Sequence, residues 1–425
     1  MARPASQFRE IELPLTPAEA AAAWSGREGV VFLDSALESP GAISILACEP
    51  EDVIEGAVED ISRLARELEA RRTETGDRAL PQGAAIGWFA FDGSFRFGFY
   101  PHLLIYEHDR ERWLAVGHPP LPDPEAAPMP ARAAARVTFR PEITSAAYCE
   151  MVCRTQAYIA AGDIYQACIA HRYRAPWQGP AWPFYEALRH YSPAPFAGYL
   201  GLGDTTVMSA SPECFLRLSG RNVLTRPIKG TRPRRSESDA DERSAYELIT
   251  SPKEVAELVM ITDLERNDLG RVCEYGSVHV TDLLRLERFE QVFHLVSSVE
   301  GTLRPEVSHV EAVAACFPGG SISGAPKKRA LEIIAELEPA SRGIYTGAVG
   351  FFGFNGESCF NIAIRTVVLQ GGEASFHVGA GIVADSEPAK EWQETLDKAA
   401  GILLAAERAS AGSASVFAES PQQEA

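Results

Sequence analysis

Two consecutive stretches, TVMSASPECFLRLSG (206–220) and RNVLTRPIKG (221–230), are rich in β-branched and aliphatic residues and meet at a Gly-Arg-Asn turn. Strands joined by so short a connection pair antiparallel, because a parallel return needs a crossover of about a dozen residues or more. The pattern recurs toward the C-terminus in GIYTGAVGFFGF, CFNIAIRTVVL and ASFHVGAGIV, each expected as one strand. DIYQACIAHRYRAP also reads as a strand. Helical periodicity marks EDISRLARELEARR, TSAAYCEMVCRTQAYIAAG and, with a proline break, ADERSAYELITSPKEVAELVMITDLERNDLG. Two more helices are expected after SGAP and DSEP. Strands in succession among helices imply an α+β fold with antiparallel sheets and helices on their outer faces.

The chain has 425 residues, enough for one large core or two. Residues 1–118 are expected to form the N-terminal part of the fold, 119–135 a Pro- and Ala-rich connection, 136–407 the functional region and 408–425 a polar, disordered tail. A net charge of -18 without a basic face excludes nucleic acid and an anionic membrane as natural partners. A small anion then needs a local cluster of Arg, Lys, backbone amides or a metal. Eight cysteines follow no compact spacing; Cys149 and Cys153 suit one helix face, and a reducing, cytoplasmic compartment is expected. The acidic REIELPL start is unlike a signal peptide, and no apolar run approaches the ~20 residues of a membrane helix.

Two loops are suited to anions. FPGGSISGAPKKRALEII places three glycines and two serines before a helix expected to open at Pro326, with amides free to meet a carboxylate or phosphate. Gly319 and Gly324 have nucleotide-loop separation, but Ala325 and Pro326 stand where Lys and Ser or Thr belong, which excludes that reading. HVGAGIVADSEPAKEWQETLDKAAGILL repeats the design, with Gly379 and Gly381, a cap at Asp385 or Ser386, and Pro388 at the helix start. Glu254 and Glu257 share a helix face, as do Glu391 and Glu394. Two such helices meeting would offer oxygen ligands suited to Mg2+. Lys229, in RPIKGTRPRR, reads on its own as a solvated turn charge before a phosphate clamp or a nucleophile.

Together, SPECF, PIKGTRPR, VMITDLERNDLGRVC, FHLVSS, FPGGSISGAPKKRALEII, YTGAVGFF, NIAIRT and GAGIVADSEPAKEWQETLDKA resemble the chorismate-utilising enzymes, over about residues 145–405 and in the family's order. The resemblance is to the synthase subunits of anthranilate synthase and aminodeoxychorismate synthase. It implies two antiparallel β-sheets packed face to face with helices outside, and makes 136–407 the chorismate-binding catalytic region. It implies Glu257 and Glu394 as direct Mg2+ ligands with Glu254 and Glu391 behind them, and Lys398 beside the ring carboxylate of chorismate. Tyr345, Arg365 and the backbone at Gly381 would grip the enolpyruvyl carboxylate, while His294 and Ser321 would face the ring. Gln166 stands where relatives that add water carry a basic lysine, which disfavours water as nucleophile.

Lys229 decides between the remaining reactions by the same resemblance. PIKGT is the pattern of aminodeoxychorismate synthase component I, the synthase subunit of 4-aminobenzoate synthase, whereas anthranilate synthases carry PIAGT. The expectation is therefore amination of chorismate at C4, giving 4-amino-4-deoxychorismate on the way to 4-aminobenzoate and folate. Lys229 would add covalently at C2, and Glu213 would serve as acid and base. The alternative is anthranilate synthase component I, with ammonia at C2. No cysteine lies in a glutaminase-type G-x-C-x-G elbow, so ammonia is expected from a separate glutamine amidotransferase subunit. FLDSA aligns with the segment that forms a tryptophan site in anthranilate synthases, which directs attention to Ser35.

Overall fold

The computed structural model describes residues 8–37, 41–74, 79–124, 137–235, 237–289 and 292–410. Most of the expected connection and tail, 125–136 and 411–425, lies outside the described residues. Among the described residues the strands form two antiparallel sheets, one of twelve strands and one of ten. The N-terminal region is woven into both. Val31–Asp34 and Ile43–Ala47 join the larger sheet, Ala84–Phe89 and Phe95–Tyr100 the smaller.

Alternation along the strands sorts side chains into layers. Val31, Ile45 and Leu200 of the larger sheet pack against Ile86, Trp88, Val349 and Phe351 of the smaller one, forming the apolar filling between them. Opposite faces are covered by helices. Trp182–Tyr191 and Pro388–Ser410 cover part of the larger sheet, and Ser145–Ala160 and Lys327–Leu337 another part. Ile61–Ala70 and His309–Cys316 cover the smaller sheet. Sheets inside and helices outside confirm the expected fold class. No helix among the described residues is long and apolar enough to cross a membrane.

Two chain segments pass from one sheet to the other side by side. Thr205–Ser211 belongs to the larger sheet and Cys214–Ser219 to the smaller, so Pro212 and Glu213 form the crossing. Proline suits a point where the ladder must end, because it has no N–H to donate. The run CFNIAIRTVVL, expected as one strand, is two: Glu357–Ile362 in the smaller sheet and Thr366–Gln370 in the larger. Arg365 makes the bend with φ of 49°, an unusual conformation for a side-chain-bearing residue. The crossings are tied together: Ser211 Oγ donates to the Ile362 carbonyl at 2.6 Å, and the Ile362 amide donates to the Glu213 carbonyl at 3.1 Å.

Helix ends follow local chemistry. Ser251 caps Pro252–Gly270, its hydroxyl accepting from the Glu254 amide at 3.4 Å. Pro326 is not the first helical residue; it is extended, and the helix begins at Lys327. Trp182–Tyr191 and His309–Cys316 are helices the sequence reading passes over.

Candidate active site

The paired crossings bring together residues far apart in sequence. Glu213 and Arg365 both lie at these bends between the sheets, Glu213 only 4% exposed. Burial pushes the Glu213 carboxyl up from its usual range, against the facing Ser321 hydroxyl and the Lys229 and Lys398 ammonium groups. Ser321 is buried and completes no hydrogen bond of its own. Arg365 makes no hydrogen bond or ion pair through its guanidinium among the described residues, and burial lowers its pKa. A half-buried guanidinium without a carboxylate partner suits an anionic ligand. His294, on Val292–Thr302, is held neutral with a pKa of about 4 by burial and then by the Arg365 charge.

A second group gathers where helices Pro252–Gly270 and Pro388–Ser410 approach each other. Glu391 Oε1 accepts from Lys253 Nζ at 3.0 Å and Ser386 Oγ at 2.8 Å. Glu394 accepts from Lys398 Nζ at 2.7 Å, and that ammonium also donates to the Gly379 carbonyl at 2.9 Å. Burial opposes ionisation of Glu394, but Lys398, Lys253 and Lys229 outweigh it and lower its pKa. Burial raises the pKa of Glu257 against Lys229 and Lys253, and the charges of Glu254 and Glu394 add to the rise. Glu254 lies 3.9 Å from Arg232. Gly230, with φ of 70°, leaves room for it, since a Cβ there would stand 3.1 Å from Glu254 Oε2.

The carboxylates suit a hard cation. Glu257 Oε1 and Glu391 Oε2 are buried without partners, one on each helix, and all the donors are oxygens. Among the described residues no three His, Cys, Asp or Glu side chains converge into a ready cage. Mg2+ held here would take one or two of these carboxylates and would need water and substrate oxygens to complete its shell.

Gln166 opens the strand Gln166–Pro176, and both of its amide atoms are buried without partners. Gly381, opposite Cys168, leaves space for it: a Cβ at Gly381 would stand 2.5 Å from Gln166 Nε2 and 3.6 Å from Lys229 Nζ. Of the ten buried side-chain polar atoms without partners among the described residues, five belong to Gln166, Glu257, Ser321 and Glu391. Native interiors rarely leave such atoms unpaired, so their concentration marks a ligand site. Tyr345 stacks on His377 at 5.1 Å, with the Arg342 guanidinium 5.8 Å from its ring.

Arg342 is absent from the sequence-derived set. It is 3% exposed, pairs with Glu338 at 2.6 Å and donates to the Ile322 and Cys168 carbonyls at 3.0 and 2.7 Å. It ties the Ser321 loop to the Gln166 strand. SRG, the triplet that contains it, carries no signal for this. Ser35 donates to the Ile43 carbonyl at 2.9 Å.

Lys229 reaches the helix carboxylates. Its Nζ lies 3.7 Å from Glu257 Oε2. Burial favours the neutral amine, but Glu257, with Cys168, Glu213 and Glu394 behind it, outweighs burial and raises the pKa above the ordinary lysine value.

Residues 43–404 match the family of chorismate binding enzymes. Anthranilate synthase component 1 of Thermus thermophilus is 46% identical over 66% of this chain and 61% of its own length. The chain thus spans about three fifths of that relative. Aminodeoxychorismate synthase component 1 of Bacillus subtilis is 36% identical over 77% of each chain. Anthranilate synthase component I from Streptococcus pneumoniae superimposes with a TM-score of 0.74 at 30% identity, over 86% of this chain and 93% of that one. The expectation of an aminodeoxychorismate synthase, with C4 amination through covalent Lys229 in folate biosynthesis, is corrected by these matches. Relatives at 44–47% identity carry the anthranilate synthase name, and PIKGT alone does not outweigh them. Sheet arrangement, motif order and a match covering most of the sequence converge: the chain belongs to the chorismate binding enzymes.

Proposed function

We propose that the chain is the synthase component of an anthranilate synthase and aminates chorismate at C2 with ammonia. The observation that carries this reading is the likeness to relatives at 44–47% identity named anthranilate synthase component 1, and the unpartnered buried groups of Gln166, Ser321, Glu257 and Glu391, with the Arg365 guanidinium, support a site for a small anion. Such a set suits a compact polar molecule with two carboxylates. Arg365, Tyr345 and the Gly381 backbone take the enolpyruvyl carboxylate, a guanidinium fork matching its two oxygens. His294 and Ser321 orient the ring.

Glu257 and Glu394 would hold Mg2+, with Glu254 and Glu391 behind them, and the metal when bound supplies positive charge opposite the ring carboxylate. Burial raises the Glu213 carboxyl above its usual range and so favours its protonated form. Glu213 delivers this proton to the C4 hydroxyl as ammonia bonds to C2, the ring double bonds shift and water leaves. The product is 2-amino-2-deoxyisochorismate. Loss of its enolpyruvyl group as pyruvate yields anthranilate. Lys229, kept as an ammonium, balances Glu257 and Glu213 without forming a bond to substrate.

Ammonia would come from a separate glutamine amidotransferase, since no G-x-C-x-G elbow occurs in the chain. The eight free thiols support a reducing, cytoplasmic setting. Purified protein given chorismate, ammonium and Mg2+ is expected to form 2-aminobenzoate or its amino precursor, identified by NMR and mass. A 4-amino product would overturn the reading. Glutamine should replace ammonium only when the amidotransferase is added.

A further inference from the structure

The loop that carries Ser321 is held from below by charged side chains the mechanism does not use. Glu265, on Pro252–Gly270, is 3% exposed, and its Oε1 accepts from the Gly320 amide at 2.8 Å. Glycine at 320 eases this approach, since a Cβ would stand 2.7 Å from Leu264 Cδ2 and 3.0 Å from Glu265 Oε1. Lys327 donates to Asp268 at 2.5 Å and to the Cys316 and Pro318 carbonyls at 2.9 and 2.7 Å. On the far side, Arg342 holds the Ile322 carbonyl. The loop amide expected to be free for an anionic ligand is thus occupied by a carboxylate of the protein.

We infer that Glu265 is a positioning residue for the acid–base step: through the Gly320 amide it fixes the loop that sets the Ser321 hydroxyl against Glu213. The inference rests on the role proposed for Glu213. Glu265 anchors this loop with a carboxyl whose ionisation changes near neutral pH. Burial pushes its carboxyl up to about 7, opposed by Lys327 and the Gly320 amide and reinforced by Asp268 and Glu213. The groups that face it are Asp268 on its own helix, Lys327 on the next, Glu213 at the sheet crossing and the Cys316 thiol. As pH falls through this range the carboxylate takes up a proton, its acceptor weakens and the loop is held less firmly.

The test compares Glu265→Leu, which removes the acceptor, with Glu265→Gln, which keeps a carbonyl oxygen for the Gly320 amide without the charge. With ammonium as nitrogen source, the Leu variant is expected to lose about a hundredfold in kcat, within the range of acid–base contributions, with KM for chorismate nearly unchanged. The Gln variant should recover to within about tenfold of the parent, an acceptor being kept, and lose the limb of the kcat–pH profile near pH 7. Adding Glu265→Leu to Ser321→Ala should cost little beyond Ser321→Ala alone, because the two act in series. Additive losses, or a Gln profile that superimposes on the parent's, would overturn the inference. If the Leu variant does not fold, the Gln profile and a Glu265→Gln/Ser321→Ala cycle decide the question. These readouts follow chorismate consumption, so an unexpected product would sink the proposed reaction and leave the positioning role standing.

Discussion

The two walls of the site satisfy their polar groups in opposite ways. Around the sheet crossings, the half-buried Arg365 guanidinium makes no hydrogen bond or ion pair among the described residues, the Ser321 hydroxyl faces Glu213, and His294 is kept neutral. Along the helices, Glu391 and Glu394 already carry lysine partners, and Lys229 faces Glu257. One wall gains its hydrogen bonds when a ligand arrives. The other must exchange ion partners to accept a cation. The first should therefore govern orientation and proton transfer, the second charge balance.

The sharpest break in this comparison is at Glu213. Glu213→Gln keeps the shape but cannot deliver a proton, so kcat should fall about 10³-fold while circular dichroism and melting remain those of the parent. Loss of only a few-fold would move the acid elsewhere. On the helix wall, Glu257→Gln or Glu394→Gln should cost about a hundredfold and weaken apparent chorismate binding, with the loss shrinking as Mg2+ is raised. Full activity of either variant in EDTA would remove the metal from this wall.

Lys229→Ala is expected to cost about tenfold, as loss of one partly buried charge partner, with the same C2 product. Intact-mass spectrometry of the parent soaked with chorismate and Mg2+ should show no adduct. A covalent adduct on Lys229 would break the assignment of this lysine to charge balance.

The last prediction concerns stability rather than rate. Glu265 has a folded-state pKa raised to about 7 from 4.5, so its contribution is fully present below pH 4.5 and is lost as pH rises through 7. The stability of the parent relative to Glu265→Gln should fall by at most about 3 kcal/mol over that window, read from denaturant midpoints at successive pH values. A parallel pH dependence in the two proteins would contradict the raised pKa.

The helix carboxylates were legible because i, i+3 spacing places two side chains on one face whatever the tertiary fold. Gln166, Glu213, Tyr345 and Arg365 were placed by motif order; the first three prove buried and Arg365 half-buried. The break at Arg365 was not legible. No Gly or Pro interrupts NIAIRT, and the bend is imposed by strands of two different sheets. Glu265 was hidden for a similar reason: DLERND reads as a solvated helix face, and only the loop packed over it buries the carboxylate. The His309–Cys316 helix did carry a signal, the Ser308–Glu311 capping box. The chemical role of Lys229 depended on neighbours that a five-residue motif does not contain.

The tied crossings separate what the architecture holds constant from what it leaves open to exchange. Glu213 and Arg365 sit where the chain changes sheets, so displacing either bend would disturb ladders in both layers. Lys229 lies on Ile228–Pro233, a strand whose pairing runs along Val292–Thr302 alone. Its side chain can be replaced without breaking a hydrogen bond of either sheet. A frame of this kind can conserve its hold on one substrate while variation at position 229 retunes the charge beside the ring, giving descendants a route to new chemistry that leaves the scaffold untouched.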